Sequence, residues 1–161
     1  MRTTTDDRMK EYKARGWWGD QRIFDFFDRN ARATPERLAV LDPPNRTALV
    51  GGVPQRLTYG ELSELADGYA LRLLELGLNY DDILITQLPN IAEYVALYVA
   101  AMRLGIIVSP VPMQYRRHEL EEIANLTGAR ATLTVRSMRG VEHAAGALEL
   151  AAGRALTVLC L

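Results

Sequence analysis

The second half of the chain alternates short apolar runs with longer stretches that have helical spacing. Four apolar runs predict strands, at residues 83–88, 106–108, 131–135 and 155–161. Three helices are predicted between them, at residues 91–104, 117–127 and 140–152, each followed by a glycine stop (Gly105, Gly128 and Gly153). Connections of this length join parallel strands. We therefore expect an α/β fold with a mostly parallel sheet and helices on its faces.

The first half carries weaker patterns. Residues 22–33 predict a helix whose apolar face contains Ile23, Phe26, Phe27 and Ala31. A short strand is expected at residues 38–41. Residues 42–56 hold three prolines and a Gly-Gly pair, which predicts a loop with a small hairpin around that pair.

Two helix starts have the spacing of a capping box. Thr58 precedes Glu61 by three residues, and the apolar pattern that follows ends at Gly77. Asn90 and Glu93 repeat this spacing before the helix at 91–104, so we interpret both as capping residues. The alternative, that they face a substrate, stays open.

Composition and charge narrow the function classes. The 161 residues include 19 basic and 20 acidic side chains, with a formal net charge of -1. This balance favours neither nucleic acid nor a membrane surface as partner, since both attract concentrated positive charge. The first sixteen residues are polar, and the single cysteine, Cys160, cannot form an internal disulfide. We expect a cytoplasmic protein in which Cys160 is a buried small hydrophobe.

Several short motifs, in this order, resemble the adenylate-forming (AMP-binding) acyl-CoA synthetases. They occur at residues 57–62 (LTYGEL), 88–90 (LPN), 93–94 (EY), 103–105 (RLG) and 112–120 (PMQYRRHEL). The last motif is most similar to CoA ligases for alicyclic, aromatic or medium-chain acids. The resemblance implies a lead at residues 1–21 and, at 22–161, part of the N-terminal α/β subdomain of the family's large domain.

In that family, ATP and a carboxylic acid form an acyl-adenylate, and the acyl group then passes to CoA. The resemblance implies ATP, Mg²⁺ and CoA as the parent enzyme's cofactors. It also implies a phosphate loop rich in Ser, Thr and Gly with a lysine, which this sequence lacks; its only lysines are Lys10 and Lys13. We therefore expect an incomplete domain with no catalytic residue in this chain, and no turnover by this chain alone.

The resemblance also places a CoA-proximal turn at Gln114, Arg116 and Arg117, because the corresponding turn of related ligases lies near the CoA nucleotide. A cation there would meet a phosphate. One type of relative has an arginine where Gln114 stands. The alternative is a solvated pair of arginines at a helix start. His118 and His143 lie in polar segments without ligand spacing, so no metal site is expected.

Two other interpretations remain. A short stand-alone protein could have kept the fold and act through a binding partner; it would then bury its last strand, at 155–161, in an oligomer. An unrelated nucleotide-binding domain is less consistent, since no Gly-rich turn follows a strand. The acid and the acyl acceptor are not identified by the sequence.

Overall fold

The computed structural model describes residues 4–161. The helices in this part of the chain are α1 (Asp6–Ala14), α2 (Ile23–Ala33), α3 (Arg46–Val50), α4 (Tyr59–Glu75), α5 (Ala92–Leu104), α6 (Arg117–Thr127) and α7 (His143–Ala151). The strands are β1 (Leu38–Leu41), β2 (Arg56–Thr58), β3 (Ile83–Gln87), β4 (Ile107–Pro110), β5 (Ala131–Thr134) and β6 (Thr157–Cys160). Within residues 4–161 no helix is long and apolar enough to cross a bilayer.

The main sheet has four parallel strands in the order β4-β3-β5-β6. The α/β fold with a mostly parallel sheet is therefore confirmed. Strands β1 and β2 form a separate antiparallel pair, in which Val40 is opposite Leu57. The sequence pattern had predicted β1 but not β2.

Helices cover both faces of the parallel sheet. Neighbouring residues of a strand point to opposite sides, so each packs against a different pair of helices. Leu84 packs in a cluster with residues of α4 and α5, including Ala70 and Leu97. Ile85, the next residue of β3, packs with Leu120 of α6 and with α7. Both strand residues have no exposed surface, as expected for a strand covered on both faces.

The capping box before α4 is present as predicted. The side-chain oxygen of Thr58 accepts from the Glu61 N–H, and the Glu61 carboxylate accepts from the Thr58 N–H at 2.8 Å. Gly105 ends α5 in the left-handed conformation, with φ 71°, which glycine adopts without steric cost.

The predicted cap at Asn90 is wrong. Helix α5 begins after Ile91, which makes no side-chain cap bond. The Ala92 N–H instead donates to Oδ1 of Asp42 at 2.7 Å, so the capping carboxylate comes from the segment after β1. Glu93 faces Arg46 rather than the helix start.

The predicted apolar face of α2 is also shifted. Ile23 and Phe26 are 75% and 46% exposed, whereas Phe24 and Phe27 pack against the core. The Phe27 ring lies 6.0 Å from that of Tyr59, at the start of α4. Docking of α2 on α4 and α5 therefore selects a face that the local pattern did not.

Two further expectations fail. Residues around Gly51 form no hairpin; the segment contains α3, which ends at Gly51 with φ 79°. This helix carries Arg46 into contact with Asp42, four residues earlier, and with Glu93, and the second pair spans 47 positions and is invisible in the local sequence. Cys160 is exposed rather than buried, since it lies at the end of the edge strand β6.

Candidate functional site

The carboxyl ends of β3 and β4 meet at one edge of the sheet, where open α/β sheets bind their ligands. The segment that follows β4, residues 111–116, turns over this edge into α6. The buried side chain of Gln87, the last residue of β3, supports this turn from below. Its Nε2 donates to the carbonyls of Pro112 at 3.1 Å and Tyr115 at 3.0 Å.

His143, the first residue of α7, completes this arrangement. The residue is buried, and its Nδ1 lies 3.2 Å from Oε1 of Gln87. Because the amide nitrogen of Gln87 donates to two carbonyls, its oxygen must accept, and His143 therefore donates from Nδ1. Burial lowers the pKa of His143, and the charge of Arg116 lowers it further against the opposing effect of Glu142. The ring is thus neutral near pH 7.

The pair of Gln87 and His143 has no local sequence pattern, and the sequence around His143 predicts a polar segment rather than a buried ring. A usable signal was present in Gln87, because a polar residue that closes an apolar, fully covered strand needs a buried hydrogen-bond partner.

The three residues of the predicted CoA-proximal turn are all exposed, and the structure separates their side chains. The Arg116 Nη1 donates to the carbonyls of Met113, Gln114 and Tyr115, each at 2.9 Å, so its guanidinium folds back over the turn. Arg117 instead donates from Nε to Glu121 of α6 at 2.8 Å. Gln114 contributes its carbonyl to this network. The assignment of CoA to this turn stays a prediction.

A second polar cluster lies at the start of α5, where the guanidinium of Arg46 joins two carboxylates. Nη1 donates to Asp42 at 2.7 Å and to Glu93 at 2.8 Å, and Nη2 donates to Glu93 at 2.6 Å. Gln55 adds its backbone N–H to Asp42 and its side-chain amide to Glu93, both at 2.9 Å. This cluster ties the β1–β2 connection to α5, the central helix of one face.

Protonation in this cluster follows from its donors. Burial alone raises the pKa of Asp42, but the N–H groups of Gln55 and Ala92 and the charge of Arg46 outweigh it, so the net pKa is below that of an ordinary carboxyl. The pKa of Glu93 is likewise lowered, because Arg46 outweighs the effect of burial. Glu93 and Asp42 in turn raise the pKa of Arg46. All three groups are therefore charged at neutral pH.

An apolar groove of about 670 Å³ runs beside this cluster, between β1 and α5. Leu41, Val95, Tyr98 and Met102 contribute to its wall. Burial, together with a hydrogen bond to Tyr94, raises the pKa of Tyr98 to about 12. The groove thus offers aromatic and aliphatic surface together with the neutral phenol of Tyr98. Among residues 4–161, no group of three or more His, Cys, Asp or Glu side chains could hold a metal ion.

A parallel sheet of this topology occurs in many protein families, so the sequence must decide between them. The family described as AMP-binding enzyme matches residues 27–160. The chain belongs to this family.

Two curated AMP-binding relatives act, by their names, on aryl acids. The 2-hydroxy-7-methoxy-5-methyl-1-naphthoate–CoA ligase of Streptomyces carzinostaticus is 32% identical over 146 residues, which cover 91% of this chain and 24% of that protein. The salicyl-AMP ligase / salicyl-S-ArCP synthetase of Mycobacterium tuberculosis is 31% identical over 146 residues, covering 91% of this chain and 25% of its own length. The chain thus spans about a quarter of the length of these relatives.

The solved structures agree with the sequence matches. The apo structure of MbtA from Mycobacterium smegmatis has a TM-score of 0.75 and 28% identity, and the match covers 98% of this chain and 28% of that one. The predicted identity of the chain, an N-terminal portion of an AMP-binding ligase with an incomplete domain, is therefore confirmed.

The LTYGEL motif of this AMP-binding family member has a structural role at the start of α4. Thr58 and Glu61 close the capping box of α4. The Gly60 N–H donates to the carbonyl of Pro35 at 2.9 Å, and a Cβ at Gly60 would lie 3.4 Å from that oxygen. The close approach favours glycine here, and it fixes the segment after α2 against the start of α4.

Proposed function

We propose that this chain is the N-terminal part of an ATP-dependent enzyme that activates an aryl carboxylic acid as its acyl-adenylate and transfers the acyl group to CoA. The observation that carries the proposal is the match to the AMP-binding family over residues 27–160. The names of the naphthoate and salicylate relatives support an aryl acid. A medium-chain fatty-acid–CoA ligase of Escherichia coli, 28% identical over 128 residues, supports CoA as acceptor but represents another acid class.

Within that enzyme, residues 22–161 provide part of the α/β scaffold and residues 1–21 a lead to it. ATP and Mg²⁺ would be held by parts of the enzyme other than this chain, which has no phosphate loop of the required composition. We assign the acceptor phosphate to the positive charge of Arg116, which is exposed above the carboxyl edge of the sheet and whose Nη1 is held by the carbonyls of the turn. The chain alone is then catalytically inactive.

The first experiment measures the intact mass of the protein as its host makes it. A mass several times 18.0 kDa supports a full ligase, and a mass of 18.0 kDa contradicts the proposal in favour of a short binding protein. In the same preparation, ATP–pyrophosphate exchange is measured with salicylate, 2,3-dihydroxybenzoate, a hydroxynaphthoate and a medium-chain fatty acid. We expect exchange with at least one aryl acid above the fatty acid.

Two arms of this experiment separate the finer claims. Acyl transfer to CoA, followed as thioester formation, tests the acceptor; exchange without thioester would point to a carrier protein instead. The 161-residue chain alone should give no exchange, and robust exchange from it would contradict the proposal that ATP and Mg²⁺ are held by other parts of the enzyme.

Among the described residues, β6 pairs only with β5. A homo-oligomer through its free edge stays a prediction that sedimentation would test.

A further inference from the structure

The turn at residues 112–116 is attached to the core by the side chain of Met113, which is partly buried against it. The backbone N–H of Val111 donates to the carbonyl of Thr86 at 2.9 Å, and this bond marks the end of regular pairing with β3. Beyond Val111 the turn rises from the edge, and Pro112 and Tyr115 are exposed. Among the described residues, the hydrogen bonds that join the backbone of this turn to the sheet come from the side chain of Gln87, so its conformation depends on them.

Gln87 supplies that support from a buried position. The residue is 3% exposed, and both protons of its amide are used by carbonyls at the two ends of the turn. Its backbone carbonyl also accepts from the hydroxyl of Thr134 on β5, at 3.1 Å. The side chain is thus fixed on a rigid strand, and it sets the distance between the carbonyls of Pro112 and Tyr115.

His143 fixes the orientation of that amide. The two turn carbonyls require the Gln87 nitrogen, so the Gln87 oxygen faces α7, and the Nδ1–H of His143 donates to that oxygen and holds the amide in this orientation. A flipped amide would turn its single oxygen toward the two turn carbonyls and leave both without a donor, which is costly at a buried position. A chain of hydrogen bonds therefore runs from His143 through the Gln87 amide to the turn, with each group donating to the next. It connects α7 to the segment that carries Arg116.

We propose that Gln87 and His143 are positioning residues for the turn at 112–116, and that they place Arg116 for binding the acyl acceptor. Arg116 itself clasps the carbonyls of Met113, Gln114 and Tyr115, so the direction of its guanidinium follows the conformation of the turn. The inference rests on the proposed function only where it assigns an acceptor to the turn. The positioning of the turn is independent of the reaction.

Hydrogen–deuterium exchange of the peptide that spans residues 112–117, in the protein as its host makes it, tests the positioning directly. Gln87→Leu should raise exchange in this peptide by roughly tenfold, since two carbonyls lose their donors. Leu84→Val is the matched control, because Leu84 is equally buried on β3 but faces α4 and α5. Equal exchange in the two variants would overturn the proposal.

A pair of substitutions at His143 keeps the test decisive even where Gln87→Leu fails to fold. His143→Asn retains an N–H donor near the position of Nδ1, whereas His143→Leu has none. We expect His143→Leu to loosen the 112–117 peptide and His143→Asn to restore most of the protection. The same exchange in both would show that the histidine only fills space.

Steady-state kinetics then test the acceptor. In Gln87→Leu, the KM for CoA should rise severalfold while the rate of ATP–pyrophosphate exchange stays near that of wild type. A fall in exchange with no change in the KM for CoA would refute the acceptor role. If the wild-type protein forms no thioester, the proposed function fails, and hydrogen–deuterium exchange still decides whether the turn is positioned by Gln87 and His143.

Discussion

Replacement of Arg46 by methionine should lower the free energy of unfolding by more than the loss of an exposed ion pair does. Arg46 is 8% exposed, and its guanidinium pairs with Asp42 and with both oxygens of Glu93. Methionine fills a similar volume but leaves two carboxylates without their counter-charge. The change therefore removes the pairing while it keeps the packing of α3.

The expected magnitude follows from what each carboxylate retains. Removing one partner of a buried ion pair costs about 3–5 kcal/mol. Asp42 keeps the backbone N–H donors of Gln55 and Ala92, and Glu93 keeps the side-chain amide of Gln55. These remaining donors place Arg46→Met near the lower end, about 3 kcal/mol. Arg72→Met, which breaks an exposed pair with Glu75, is the control and should cost less than about 1 kcal/mol.

Urea unfolding followed by circular dichroism, at pH 7 and again near pH 4, tests the size of this loss in the free energy of unfolding and the direction in which it changes with pH. In wild type the folded pKa values of Asp42 and Glu93 lie below their unfolded values, so their contribution is present above the unfolded pKa and is lost as pH falls through the folded pKa. In Arg46→Met burial raises both pKa values, and protonation relieves the penalty. The difference between the proteins should therefore shrink at pH 4. A cost below 1 kcal/mol at pH 7, or one independent of pH, would refute this reasoning.

Further predictions concern helix ends, glycines and the buried histidine. Thr58→Ala should lower the free energy of unfolding by about 1 kcal/mol, since the first turn of α4 loses its cap; chemical denaturation measures this. Gly68→Ala should stabilise α4 by about 0.5–1 kcal/mol, because its Cβ meets nothing, whereas Gly105→Ala should destabilise by at least about 1 kcal/mol through its positive φ and the ring of Tyr80; thermal unfolding ranks the pair. Because the folded pKa of His143 is lowered, wild type should lose stability as pH falls through about 6.5, the unfolded pKa. His143→Asn should lack this loss in denaturation between pH 7.5 and 5.5.

The parallel sheet was predictable because its central strands, β3 and β5, are covered on both faces. Residues 84–87 are uncharged and buried by helices on each side, so the absence of polar alternation in the sequence reflects this environment. The helix 117–127 was predicted to the residue, since Gly128 ends it in the left-handed conformation that glycine favours. Such local signals are strong where one residue type satisfies one backbone requirement.

The candidate site was less predictable because its contacts join residues far apart in the chain. Gln87 and His143 are 56 positions apart, and neither has a local pattern that indicates the other. The prediction of the buried face of α2 was wrong for a related reason. Ile23 and Phe24 are both apolar, and only the packing of α2 on α4 and α5 decides that Phe24 is partly buried while Ile23 is exposed.

The start of α5 shows how a local rule and a tertiary contact compete for the same backbone group. Asn90 and Glu93 have capping spacing, yet the Ala92 N–H is taken by Asp42, 50 residues earlier in the chain. A carboxylate at a helix N-terminus is stabilised by the helix dipole. The Asp42 carboxylate is also held in place by Arg46 and by the backbone N–H of Gln55. Glu93 therefore does not cap the helix, and its carboxylate accepts from Arg46 as the second carboxylate of the same cluster. The position of Asp42 at the start of α5 therefore accounts for the failed cap, and the Arg46→Met experiment measures how strongly the ion pairs of Arg46 hold this cluster together.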